Sequence, residues 1–214
     1  MEQELLERIL AELAKGSYQD EVKRARQTFF ELLKDMREDD PSYERLTGCF
    51  LNWYIFDRPM DCGRGTPLQI FAAGEDLSSE ERVLLASMSG NIHSLFEVLR
   101  IEDTSVNLRD LFSTETIKVT ERRSLAGLDP GDILEARLLP ISDKLVFSSG
   151  AFILHPRPAR RLIRQAIERC RRDGSPSRIE LIRRLQSLSF RYTDRFNQRI
   201  PVEKVYAEIV PTTG

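Results

Sequence analysis

The chain has 214 residues and a formal net charge of −2, with 41% hydrophobic and 31% charged residues. That is enough for one large domain or two small ones with a true core, and it excludes wholesale disorder. No apolar run reaches the roughly 20 residues of a membrane span. Glu2, Glu4, Glu7, Arg8 and Glu12 interrupt the apolar stretch at the N-terminus, which speaks against a signal peptide. Cys49, Cys62 and Cys170 are too few and too scattered for a disulfide framework or a zinc site. The expectation is a soluble, cytoplasmic protein with reduced thiols.

Residues 2–15 read as a helix, with Leu5, Leu6, Ile9, Leu10 and Leu13 on one stripe. Gly16 and Ser17 link it to a second helix, about 18–38, whose face carries Val22, Ala25, Phe29, Leu32, Leu33 and Met36. So short a link predicts an antiparallel hairpin. Pro41 ends this part. A third helix, about 42–57, is apolar nearly all round (Leu46, Phe50, Leu51, Trp53, Tyr54, Ile55, Phe56), which predicts a central buried element. A turn-rich loop, Asp57–Gly65, follows. Thr66-Pro67 then has the form of an N-cap with proline at the first helical position, and Ser78 with Glu81 forms a capping box for a helix to about Met88.

From about 94 to 154 the period changes to two. Strand-like runs appear at Leu95–Ile101, Val106–Leu111, Thr116–Arg122, Ile133–Leu139, Leu145–Phe147 and Phe152–Leu154. Asp129-Pro130-Gly131-Asp132 is a type II turn signal. Such spacing predicts an antiparallel meander, curled into a small barrel or packed against helices. Beyond Pro156 and Pro158 the helical period returns. Leu162, Ile163, Ala166, Ile167 and Cys170 share one face, and a last helix capped by Ser177 and Glu180 has Ile179, Ile182, Leu185 and Leu188 as its apolar face. Val202–Val210 reads as a short strand.

The charge is unevenly distributed. From Arg157 to Arg199 there are thirteen arginines, no lysine and four acids, a balance of +9; the rest of the chain holds 19 basic and 30 acidic residues, or −11. Arginine presents a rigid two-pronged donor suited to phosphate or carboxylate. Arg157, Arg160, Arg161, Arg164, Arg171 and Arg172 are therefore the candidate anion or partner surface. The alternative is internal pairing with N-terminal acids such as Glu31, Asp35, Glu38 and Asp39.

Other features carry less. Cys62 beside Arg58 and Arg64 is a candidate nucleophile, but the plain reading is a structural loop with Asp57 pairing an arginine. Gly63 and Gly65 lack the spacing of a phosphate loop. His93 and His155, the only histidines, have no ligand partners at metal spacing. The aromatic block around Trp53 has the spacing of core rather than of a ligand box. Glu121 and Asp132 sit at the edge of the meander, where nothing distinguishes them from other acids. No catalytic residue, metal or cofactor is expected.

Val106–Leu111, Thr116–Arg122 and Leu128–Arg137 resemble a segment of uncharacterised bacterial proteins, some of them relatives of the SEC-C (SecA C-terminal-like) metal-binding group. With Asn52–Phe71 the similarity covers about half the chain. The cysteine/histidine zinc signature of that group is absent, so no metal role carries over. The resemblance implies a bacterial, cytoplasmic accessory protein and assigns no activity.

The sequence thus predicts an α+β protein: a helical region at 1–91, an antiparallel β-meander or small barrel at 92–155, and two arginine-rich C-terminal helices within 156–214. The three regions are compatible with one compact unit. The expected function is a non-enzymatic binding or adaptor protein whose partner is a protein or an acidic surface. The alternative is a nucleic-acid-binding regulator using the arginine-rich helices; a small hydrolase built on Asp57–Cys62 ranks third.

Overall fold

The computed structural model describes residues 2–13, 15–31, 43–74, 76–121, 125, 127–174, 176–194 and 200–210. The chain forms two compact units. One comprises Met1–Asn91 with Leu139–Asp143 and Ser149–Ala151; the other comprises Ile92–Leu138, Lys144–Ser148 and Phe152–Gly214. The protein is α+β, with a helical N-terminal region, a barrel and C-terminal helices. No helix among the described residues is long and apolar enough to cross a membrane.

The first unit contains α1 (Glu2–Leu13), a 3-10 turn at Gly16–Tyr18, α2 (Gln19–Phe30), α3 (Tyr43–Phe56), α4 (Pro67–Ala72) and α5 (Ser79–Ser89). Leu5, Ile9 and Leu13 of α1 are buried at helical spacing, as are Ala25 and Phe29 of α2. Helix contacts in this unit join α1 to α4, α2 to α3, α3 to α4 and α4 to α5. Leu32, Leu33 and Met36 lie outside the described residues. The central helix is as expected: Trp53 is 7% exposed, with its ring 5.4 Å from that of Phe29. The expected N-cap at Thr66 opens α4 and is in fact a capping box with Gln69, and the expected capping box of Ser78 with Glu81 opens α5.

The barrel strands are β1 (Ile92–Glu102), β2 (Ser105–Asp110), β3 (Thr116–Thr120), β4 (Ile133–Ile141) and β5 (Lys144–Leu154), closed in the order β1-β2-β3-β5-β4. β1 pairs antiparallel with both β2 and β4, helped by a register shift between Val98 and Arg100. β2 and β3 are antiparallel, but β3 and β5 are parallel, with Val119 opposite Leu145. The expected curling into a small barrel is present, and the expectation of antiparallel pairing is corrected at one pair, β3 with β5. After β3 the chain returns beside β1 as β4, so β5 comes back along β3 in the same direction. This is the connectivity of the OB barrel. The two separate strands expected at Leu145–Phe147 and Phe152–Leu154 are one, β5. The turn before β4 has Gly131 at φ +85° and closes with Asp132 N–H donating to Asp129 O at 3.0 Å, as a type II turn requires.

Inside the barrel lie Phe96, Val98, Val106, Leu108, Val119, Leu134, Ala136, Leu138 and Phe147. On its outer wall, Leu95 of β1 and Ile133 of β4 join a second core with α6 (Arg160–Asp173), α7 (Arg178–Asp194) and α8 (Val202–Tyr206). Two expectations are corrected in these helices. Val202–Val210 is α8 followed by a 3-10 turn at Ala207–Ile209, not a strand; Val202, Val205, Tyr206 and Ile209 are buried at intervals of three, four and seven, a helical face. On α7, Ile179 is 42% exposed and Leu181 is buried with Ile182, Leu185 and Leu188.

Candidate functional site

Four arginines of the arginine-rich segment, Arg157, Arg160, Arg164 and Arg178, are engaged by groups of the barrel. Arg157, just before α6, donates through Nε to Asp132 Oδ1 at 2.9 Å and also pairs with Asp129; Arg160 pairs with Asp132 as well. Arg164 donates to Glu97 Oε1 of β1 at 2.7 Å. Arg178 opens α7 by donating to the His93 carbonyl, with its guanidinium 5.2 Å from the Phe112 ring centre. Arg172 pairs with Asp173 at the end of its own helix, and Arg161 and Arg171 are exposed. Burial works against the charged form of Asp132, which is 1% exposed, but the Arg157 guanidinium, the Asp129 N–H and Arg160 outweigh it and hold its carboxyl below the usual range. The same contacts raise the pKa of Arg157. Internal pairing is what the sequence allowed as an alternative, but these partners are acids of the barrel. Asp35, Glu38, Asp39, Arg195 and Arg199 lie outside the described residues.

The two histidines enter a buried polar cluster under the C-terminal helices. Strand register sets His93 opposite Arg137. Arg137 Nη2 lies 3.1 Å from His93 Nδ1, and a guanidinium only donates, so Nδ1 accepts. The proton therefore sits on His93 Nε2, which donates to Glu135 Oε1 at 3.0 Å; Gln186 of α7 donates to the same oxygen at 2.6 Å. His155 Nδ1 lies 3.1 Å from the Tyr206 hydroxyl, and burial pushes the imidazole down to about 3 while raising the Tyr206 phenol. Glu135, Arg137 and Tyr206 were not singled out from the sequence, where nothing marks them. Among the described residues no group of three or more His, Cys, Asp or Glu is placed to hold a metal ion. The cluster's geometry suits it to fastening α7 and α8 onto the barrel wall.

In the first unit, the Asp57–Gly65 loop folds on itself, with Met60 N–H donating to Gly65 O at 2.9 Å and Gly63 at φ +70°. Asp61 is a carboxylate shared by Arg58 and Arg24, at 2.7 and 2.8 Å. Arg58 also pairs with the buried Glu21, which accepts from Tyr54. Cys62 is exposed, and hydrogen bonds from the Arg64 backbone and side chain lower its thiol pKa. The arrangement here is a charged loop that carries an exposed cysteine.

The same unit holds an open cavity of about 550 Å³, walled by α1, Tyr18, Met60, α4, Gly74, Asp76 and Leu77. Its apolar lining comes from Ile9, Leu13, Pro67, Ile70, Phe71 and Leu77, and its polar lining includes Arg8, Glu12, Lys15 and Asp76. The Arg8 guanidinium lies 5.7 Å from the Phe71 ring centre and pairs with Glu81; Lys15 pairs with Glu12. Ile70 and Phe71 are half-buried, the state of apolar side chains left at a contact surface. Sequence reasoning missed this groove, because its walls come from segments far apart in the chain.

The chain comprises a helical unit with an open groove and a unit in which helices pack on a closed barrel. The chain belongs to a family of unknown function, DUF7986, which matches residues 3–178. The match takes in the groove, the barrel and α6, and stops at the start of α7. No curated protein and no solved structure matches the chain.

Proposed function

We propose that this protein is a non-enzymatic adaptor that binds a protein partner through the groove of its helical unit. The observation that carries the reading is the groove itself. A volume of about 550 Å³ falls within the range of ligand pockets, and an apolar floor with charges of both signs at its rim is the make-up of a protein-recognition surface. In this reading the protein works in a bacterial cytoplasm, which the three free thiols support.

A second reading, nucleic-acid binding, draws on the barrel. Arg100, Asn107 and Lys118 form one row across β1, β2 and β3, with Arg100 and Lys118 well exposed, on a barrel type that elsewhere binds oligonucleotides. Against it, Lys118 and Arg100 both lie beside Glu102, at 3.1 and 3.6 Å, and Arg157, Arg160 and Arg164 are engaged by barrel acids.

The test is affinity capture from a lysate of the native host, with and without nuclease, using the wild type and Phe71→Asp. A protein that survives nuclease treatment and is lost with Phe71→Asp supports the adaptor. Capture that nuclease abolishes and Phe71→Asp leaves unchanged favours the second reading.

A further inference from the structure

Resting on the adaptor reading, we propose that the groove takes a basic amphipathic helix of its partner. Its length and walls suggest the shape of the occupant. The α1 wall runs from Arg8 to Lys15, two helical turns or about 10 Å at 1.5 Å per residue. Also lining the groove are α4, Gly74, Asp76 and Leu77, and Ile9, Ile70, Phe71 and Leu77 supply apolar side chains to its floor. A short helix lays a stripe of residues at i, i+3, i+4 and i+7 into such a trough.

Charge selects among such helices. Glu12, Asp76, Arg8 and Lys15 line the groove, and Glu4 and Glu7 of α1 with Glu80, Glu81 and Arg82 of α5 lie on the elements beside it. Arg8 pairs with Glu81 and Lys15 with Glu12, so these four charges offset one another. The whole unit carries 11 basic and 19 acidic residues, a net of −8. A partner helix with lysine or arginine flanking its apolar stripe meets complementary charge at the rim, whereas an acidic helix, a nucleic acid or an anionic lipid surface meets like charge.

The full chain is titrated against fluorescein-labelled 14-residue helical peptides, read by fluorescence anisotropy. One peptide carries leucine on one face and lysine on the other; the second replaces lysine by glutamate; the third keeps lysine and replaces leucine by serine. The Leu/Lys peptide should bind and weaken as salt is raised. Ile70→Asp and Phe71→Asp should each weaken it at least tenfold. Asp76→Lys, an exposed change that leaves the floor intact, should weaken it several-fold with an unchanged circular dichroism spectrum. Equal or tighter binding of the Leu/Glu peptide overturns the charge inference, while a groove-dependent capture from lysate would still uphold the adaptor. Equal binding of the Ser/Lys peptide overturns it as well, because it reduces the effect to diffuse attraction. Unchanged Leu/Lys binding by Ile70→Asp and Phe71→Asp removes the groove as the site and takes both readings with it.

Discussion

Acidification should destabilise the barrel unit through His155. The imidazole is 1% exposed and burial pushes it from an ordinary 6.5 to about 3. Between those values the unfolded chain binds a proton that the folded chain refuses. The stability that the neutral ring preserves is therefore complete above about pH 6.5 and is lost as pH falls towards 3. At about 1.4 kcal/mol per pH unit in the steep part, the loss is about 2 kcal/mol between pH 6.5 and 4.5 and about 4 kcal/mol by pH 3. Against a total stability of about 5–15 kcal/mol, that is a large fraction. The assay is urea denaturation at several pH values for the wild type and His155→Gln. Far-UV circular dichroism follows the whole chain, and the fluorescence of Trp53, the single tryptophan, follows the helical unit alone. Other carboxylates titrate in both proteins, so the difference between the two isolates His155. The gap should narrow by about 2 kcal/mol from pH 6.5 to 4.5. Parallel profiles would refute a neutral, desolvated His155.

Three further outcomes are expected. Trp53→Ala removes a ring packed against Phe29 and Phe50 and should cost about 3–5 kcal/mol; an unchanged melting temperature would count against that packing. Asp132→Asn weakens the carboxylate that grips Arg157 and Arg160 and should cost about 2 kcal/mol, the scale of hydrogen bonds to a charged group, most visibly above pH 5 where the acid is ionised; a neutral effect would make the clamp ornamental. Cys62 should react with iodoacetamide faster than a cysteine in an unstructured peptide at pH 7, and Arg64→Gln should reduce the advantage without abolishing it, because the backbone N–H of residue 64 still stabilises the thiolate when the guanidinium is gone. Equal rates would contradict it.

Much of the fold was legible because burial writes a period into the sequence. The strands show it at two residues, as in Leu134, Ala136 and Leu138, and the capping boxes at Thr66 and Ser78 appear as single short motifs. Pairing direction was not legible, since a strand beside a parallel neighbour alternates just as one beside an antiparallel neighbour does; hence the missed β3–β5 closure. The tail was misread because only four spaced residues, Val202, Val205, Tyr206 and Ile209, carry its helical face, and three of them are β-branched. The arginine partners and the histidine cluster depend on residues distant in sequence. Arg164 and Glu97 are 67 residues apart, and His155 and Tyr206 are 51 apart. The groove, likewise, exists only once α1 and α4 have met.

The adaptor claim is tested most directly by a photo-crosslink made inside the native host. A benzophenone amino acid is placed at position 70, on the groove floor, and separately at position 83, where Val83 is 72% exposed in the same unit and does not line the groove. Irradiation should give one discrete adduct at position 70, of protein mass and resistant to nuclease, and none at position 83. The same adduct at both positions, or an adduct at position 70 that nuclease removes, would contradict a protein partner seated in the groove.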